Sequence, residues 1–290
     1  MSKGYVLYNL KAGFETNLEN IKLVEGKINS ELEFLNIVSI EDYKEFFSKL
    51  EADDFIILCG GDGTINRFVN ETEGIEIKND ILYYPFGTGN DFAADLGYKK
   101  GSKPFSINEY IKDLPTVTVK DKTYRFINGV GYGIDGYCCE VGDKIKENSN
   151  KKVNYTSIAI KGLLFHYKPT NATVTVDGKT NTYKKVWIAP TMHGRYYGGG
   201  MIPTPNQDRK NINGTLSTMI FHSSGKLKTL MLFPSIFKGE HIKHTKLVEI
   251  LEGKEITVEF DRPTALQIDG ETILDVISYT AISAKETVKV

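Results

Sequence analysis

The chain has 290 residues, enough for two domains, and its composition (40% hydrophobic, 25% charged) excludes a disordered or low-complexity protein. A net charge of -1 conceals an asymmetry: residues 1–115 carry -8, residues 116–275 carry +6 and the tail +1. Cys59, Cys138 and Cys139 are too few and too clustered for a disulfide framework, and no run reaches the ~18 apolar residues that span a bilayer, so a soluble protein of a reducing compartment is expected.

The N-terminus lacks the apolar core of a signal peptide and reads instead as a first strand, Tyr5 to Tyr8. Leu18 to Leu32 reads as helix, Glu33 to Ser39 as strand and Glu41 to Leu50 as helix. Phe55-Ile56-Ile57-Leu58 is an unbroken apolar run, as in a parallel strand buried on both faces, and the strand extends to Cys59. Ile65, Phe68 and Val69 then recur at helical spacing, with Thr64 placed to cap that helix. Asp80 to Tyr84 is a further strand, and Asn90 or Asp91 starts the next helix. Strands alternating with helices build a mostly parallel sheet covered by helices.

After Leu114-Pro115 the pattern changes. Residues 117–120, 124–129, 172–176, 185–189, 216–221, 246–251, 255–260 and 265–268 are short, alternating, strand-like segments. Asp177-Gly178 and Asp269-Gly270 are hairpin dipeptides. The expectation is an α/β domain over 1–115 and a β-sandwich over 116–275, interrupted by helices near Tyr155 to Phe165 and Lys226 to Phe237. With no linker between them, the crevice between the domains is the default ligand site.

Gly60-Gly61-Asp62-Gly63-Thr64 and Gly87-Thr88-Gly89-Asn90 both follow strands of the first half, and Asn9-Leu10-Lys11-Ala12-Gly13 follows its first strand. Ligands of open α/β sheets bind beyond the carboxyl ends of the strands, and glycine-rich backbone entering a helix is suited to anions. Any one of these turns is equally what a plain tight turn looks like; three on one rim are harder to set aside. Asp62 and Asp91 add carboxylates where Mg²⁺ beside phosphates would sit. The spacing is not that of a Walker A loop. Gly131-Tyr132-Gly133-Ile134-Asp135-Gly136 satisfies G-x-G-x-x-G but lacks an acidic residue about 20 positions on, and reads as a bend. His193, His222, His241 and His244 lack the spacing of a zinc site and read as ordinary histidines.

Gly60 to Thr64 together with Pro85-Phe86-Gly87-Thr88-Gly89-Asn90-Asp91-Phe92-Ala93 resembles the catalytic domain of the diacylglycerol/sphingosine lipid kinase family, in its soluble bacterial form. Residues 9–13 resemble its N-P-x-S-G turn, with Leu10 for proline; Tyr124 to Asn128, Tyr197 to Met201, Phe237 to His241 and Ile268-Asp269-Gly270-Glu271 match later landmarks in order. The resemblance implies that 276–290 crosses back to the first domain, giving the two-domain architecture shared by lipid and NAD kinases. An auxiliary Mg²⁺ site of some members would fall at Ile212-Asn213-Gly214, where an amide replaces a carboxylate, and is not expected.

The resemblance further implies an ATP-dependent kinase of a lipid hydroxyl, diacylglycerol or a related lipid. Asn9, Lys11, Gly13, Gly60, Gly61, Gly63, Thr64, Gly87, Thr88 and Asn90 would hold the nucleotide, and Asp62 and Asp91 would position Mg²⁺ and the transferred group. Lys11 would balance charge or stay solvated. Glu271, on its own a solvated carboxylate of a turn, becomes a candidate base only through the resemblance. The expected partner is lipid at the cytoplasmic face of a membrane, reached through the basic second half, and not nucleic acid; a homodimer is left open. Two alternatives remain: a kinase of a soluble substrate such as NAD, and a non-catalytic nucleotide- or lipid-binding protein. NAD kinases lack the Gly87 to Phe92 stretch, and intact Asp62, Asp91 and Glu271 argue against a decayed enzyme.

Overall fold

The computed structural model describes residues 2–9, 18–148, 153–211 and 213–284, in two compact units, Met1–Leu114 and Pro115–Val290. The first unit holds five strands: β1 (Lys3–Tyr8), β2 (Glu31–Asn36), β3 (Phe55–Gly60), β4 (Asp80–Pro85) and β5 (Phe105–Ser106). Their order is β2-β1-β3-β4-β5, with every pair parallel except the edge pair β4–β5. Ile56, Ile57 and Leu58 of β3 are fully buried, as the unbroken apolar run requires. The 2-1-3-4-5 order reverses between β1 and β3, which makes their carboxyl ends a topological switch point.

Local chemistry shifts several elements from their expected bounds. The expected 18–32 helix is an α-turn, Leu18–Ile21, continued as a 3₁₀ helix, Lys22–Lys27; Gly26 weakens it before β2 pairs with β1. The second strand ends early because Asn36 Oδ1 accepts the Val38 N–H and winds Ile37–Ser39 into a 3₁₀ turn. The next helix, Tyr43–Ser48, is capped by Asp42 and sets Tyr43 edge-on to Phe68 of the Asp62–Glu71 helix.

The second unit holds β6 (Thr116–Val119), β7 (Lys122–Arg125), β8 (Gly129–Tyr132), β9 (Thr170–Val176), β10 (Lys179–Val186), β11 (Thr191–Met192), β12 (Leu216–Phe221), β13 (Val248–Gly253), β14 (Glu255–Ile268) and β15 (Glu271–Ile282). All pair antiparallel. Two expected strands, 255–260 and 265–268, are one: β14 pairs with β9 through its first half and with β8 through its last residues, bending where the register with β15 slips around Pro263. It thereby joins two layers around a core that includes Tyr132, which stacks on Phe260 at 3.8 Å between ring centres. Asp177-Gly178 and Asp269-Gly270 close hairpins in the left-handed conformation expected of them. Residues 276–282 do not leave for the first unit: they stay in β15, against β14 and β6, and 285–290 lie outside the described residues.

The Gly131–Gly136 stretch is not a mere bend. β8 runs through it into a helix, Ile134–Asn148, that the sequence does not announce. Tyr137, Val141 and Ile145 line its inner side at i, i+4, i+8. Its glycines serve packing: Gly133 has φ +116°, and a Cβ on Gly136 would lie 1.9 Å from the Ala265 carbonyl oxygen of β14. Gly136→Ala is expected to destabilise the protein by about 1–3 kcal/mol, read by urea unfolding, despite alanine's better helix propensity.

Candidate functional site

Next to the switch point of the first unit, β3 and β4 end side by side, with Gly60 opposite Pro85. The Gly60 carbonyl accepts N–H bonds from Phe86 and Gly87 (2.8 and 2.9 Å) and a hydroxyl bond from buried Tyr83 (3.1 Å). Burial raises the Tyr83 phenol well above its ordinary range, and the nearby carboxylates of Asp62 and Asp91 reinforce this, so it stays a donor. Gly61 and Gly87 then meet backbone to backbone: a Cβ on Gly87 would sit 2.3 Å from the Gly61 Cα. No other residue type fits there.

Asn90 is the second clamp. Its Oδ1 accepts the Gly87 N–H (2.9 Å) while its Nδ2 donates to the Gly87 carbonyl (2.8 Å), closing a turn whose tip, Thr88-Gly89, is exposed. Asn90 itself adopts φ 53°, ψ 41°, a left-handed conformation that asparagine tolerates well. Asp62 is the third. Its two carboxylate oxygens accept the N–H groups of Asp91 (2.9 Å) and Phe92 (2.8 Å), so it caps the Asp91–Asp95 helix from the first residue of the Asp62–Glu71 helix. Gly89 lies against both carboxylates, 3.3 Å from Asp62 Oδ2 and 3.7 Å from Asp91 Oδ2 measured from an ideal Cβ, which makes the two aspartates neighbours.

Thr64 does not cap its helix. The ten-residue Asp62–Glu71 helix starts from Gly61 with no side-chain cap, and the Thr64 hydroxyl is buried, inside the first turn, without a hydrogen-bond partner. A positive helix end left without a side-chain cap, opening from a glycine cradle, suits a phosphate group. Asn9 directly follows β1, whose last residue pairs with Cys59; Lys11 and Gly13 lie outside the described residues. Among the described residues no three His, Cys, Asp or Glu side chains form a metal cluster. Asp62 and Asp91 fit a Mg²⁺ only as the one or two protein carboxylates beside phosphate ligands.

In the second unit, the Asp269-Gly270-Glu271 turn is fastened separately. The Asp269 carboxylate accepts the N–H groups of Ile127, Asn128 and Gly129 (2.6, 2.8 and 3.0 Å). This is why the expected 124–129 strand breaks into β7 and β8. Arg209 covers the same peptides, donating to the Ile127 carbonyl (2.8 Å) and Asn128 Oδ1 (3.1 Å). The Gly270 N–H donates to Gln267 Oε1 (2.7 Å), and Glu271 opens β15 in an exposed position. Asp269 is thus a fastener, and Glu271 is the acid of the turn that faces solvent.

Asp135 and His193 are not singled out by sequence reasoning as site residues. Asp135, buried behind Gly131, accepts the Tyr197 hydroxyl (3.1 Å); burial pushes its carboxyl up to about 6 against the opposing hydrogen bonds from Gly136, Tyr197 and Gln267. Burial, helped by Arg209, pushes His193 down to about 3, so its ring is neutral near neutral pH. An acid lodged inside a G-x-G-x-x-G stretch is the signal that could have found Asp135.

Two glycine turns that meet beyond β3 and β4, with adjacent aspartates and an uncapped helix, are a backbone arrangement suited to phosphate in an α/β domain. Comparison with known families makes this specific. The model described as "Diacylglycerol kinase catalytic domain" matches residues 3–118, and that described as "YegS C-terminal NAD kinase beta sandwich-like domain" matches residues 128–283. A diacylglycerol kinase of Mycobacterium tuberculosis (strain CDC 1551 / Oshkosh) is 27% identical over 73% of this chain and 68% of its own length. A Bacillus anthracis (strain Sterne) crystal structure titled as a diacylglycerol kinase shares the fold, with TM-score 0.61 and 22% identity over 97% of this chain and 94% of that one. The chain belongs to the diacylglycerol kinase-like family of lipid kinases.

Asp135 carries a pH signature. Its carboxyl is raised in the folded state, from 3.8 to about 6, so between those values the folded protein binds more protons than the unfolded chain and stability falls as pH rises. Asp135→Asn removes that loss: relative to the parent it is expected to gain stability from pH 4 to pH 7.5, by up to about 3 kcal/mol, in urea titrations. A difference that stays flat with pH contradicts the raised carboxyl.

Proposed function

We propose that this kinase transfers the γ-phosphoryl group of ATP to the hydroxyl of a membrane lipid, diacylglycerol or a close relative, at the cytoplasmic membrane face. The observation that carries the reading is the Asp62 bridge. One carboxylate ties the glycine turn after β3 to the helix after β4, holding two phosphate-binding features and a second carboxylate, Asp91, in one arrangement. The peptide N–H groups of 61–64 and the turn 87–90 would hold the phosphates, with Asn9, Lys11 and Gly13 completing the rim. Asp62 and Asp91 would hold Mg²⁺ jointly with them. Bound ATP and Mg²⁺ supply the phosphoryl group and the neutralising charge.

Phosphoryl transfer proceeds through a loose transition state, so fixed position and charge neutralisation provide most of the acceleration. The clamps at Gly60, Gly87 and Asn90 serve this by leaving the turns little freedom. Glu271, held by the fastened Asp269-Gly270 turn, would accept the proton of the lipid hydroxyl. The name of the M. tuberculosis relative supports diacylglycerol as acceptor. Among the described residues no helix is long and apolar enough to cross a membrane.

Mixed detergent micelles containing diacylglycerol, with radiolabelled ATP and Mg²⁺, test the reading. Labelled phosphatidic acid is expected, and its loss on chelation. Asp62→Ala is expected to abolish turnover because it removes both the bridge and a cation ligand; Glu271→Ala is expected to cost about 10²–10⁴-fold, the usual share of a general base. Phosphorylation of NAD with inert lipids, or full activity in Asp62→Ala, overturns the assignment.

A further inference from the structure

Two segments of the second unit expose large apolar side chains that its core does not use. The helix Tyr155–Lys161 continues into a π-helical turn, Gly162–His166, where Phe165 is 71% exposed. The helix Lys226–Leu232 packs against that turn, and the Lys226 ammonium donates to the Leu164 carbonyl (3.0 Å). On it, Leu227 and Met231, four residues apart and so on one face, are 71% and 72% exposed, whereas Thr229 between them is fully buried. The inner face of the pair, with Leu163, Phe233 and Ile236 buried, already completes the core. Phe165, Leu227 and Met231 are therefore surplus to folding, and exposed apolar groups clustered in this way mark an interaction surface.

The charge of the two segments identifies the occupant. Residues 155–168 and 224–238 contain five lysines, at 161, 168, 226, 228 and 238, and no aspartate or glutamate. All five are exposed. Apolar side chains at the tip with lysines around them are the pattern that sinks into the headgroup layer while ammonium groups meet anionic lipid. A protein partner of acidic character would satisfy the lysines too, but exposed apolar tips among lysines, with no acid in either segment, suit an anionic lipid surface better.

We propose that the face formed by the Gly162–His166 turn and the Lys226–Leu232 helix docks this protein on an anionic lipid bilayer, with Phe165, Leu227 and Met231 entering the headgroup region. The proposal deepens the lipid-kinase reading and rests on it for its biological sense; the binding itself is measured without turnover. Phe165 and the lysine ring make the contact, and none of these residues belongs to the candidate catalytic site.

The test uses the full chain in flotation with vesicles of phosphatidylcholine and phosphatidylglycerol in equal parts, against pure phosphatidylcholine. Binding is expected on the anionic vesicles, weakening as salt rises, and L227E/M231E is expected to bind at least about tenfold more weakly. Phosphorylation of a short-chain diacylglycerol dissolved below its micelle concentration is expected to be unchanged in that variant. K228E/K238E, which touches neither the core nor the Lys226 bond to Leu164, is expected to lose binding likewise and decides the matter if L227E/M231E melts at a lower temperature. Wild-type binding retained by both variants overturns the docking face. So does sedimentation showing that the parent self-associates through these residues and that L227E/M231E is monomeric. If the parent binds anionic vesicles through this face yet phosphorylates no lipid, the kinase reading falls and the docking face stands; if it phosphorylates lipid while both variants bind normally, the reverse holds.

Discussion

One carboxylate organises the first unit. Asp62 leaves the glycine turn after β3 and takes the first two N–H groups of the helix that follows β4, so the two turns of the rim are set by a single side chain. Hydrogen bonds to an ionised acceptor are about twice as strong as neutral ones, and this one also favours the positive end of a helix. The contact between Gly61 and Gly87 lets it happen, because any Cβ there would push the turns apart. Position, glycine content and acid are one device.

The second unit repeats the principle with other residues. Asp269 gathers three consecutive N–H groups from 127–129, and Gln267 holds the next peptide of its own turn. In both units a carboxylate is engaged by backbone N–H groups, Asp62, expected at the site, in one and Asp269, expected as a hairpin residue, in the other, and each has a second acid close by in sequence or space, Asp91 and Glu271.

Much of this is legible in sequence, and the failures have physical causes. The buried run 55–58 and the 3.6-residue rhythm of Ile65, Phe68 and Val69 announce β3 and its helix because burial and periodicity there are strong. The Asp-Gly turns are legible because few dipeptides accept two left-handed residues in a row. The Ile134–Asn148 helix is hidden because its glycines at 136 and 142 look like breakers, although Gly136 exists to let the helix press on Ala265 and Gly142 to admit Tyr155. Thr64 resembles a cap because threonine often is one, yet the Gly-Gly-Asp entry starts the helix earlier and carries Thr64 inside the first turn. The split of 124–129 and the role of Asp269 are hidden because they depend on a contact between residues far apart in the chain.

That long reach has a consequence for the order in which the molecule is made. The bond from Ile127 to Asp269 spans 142 positions, and β8 also needs the last residues of β14 as its neighbour. Loop closure over such a separation is slow, and contacts of this kind form late. While a ribosome is still extending the chain, β8 waits with unpaired peptide groups, and the turn bearing Glu271 has no shape. The first unit, whose pairings all lie within 114 residues, is free to mature earlier. The strands of the first unit can thus pair while the turn that bears Glu271 is still to be made.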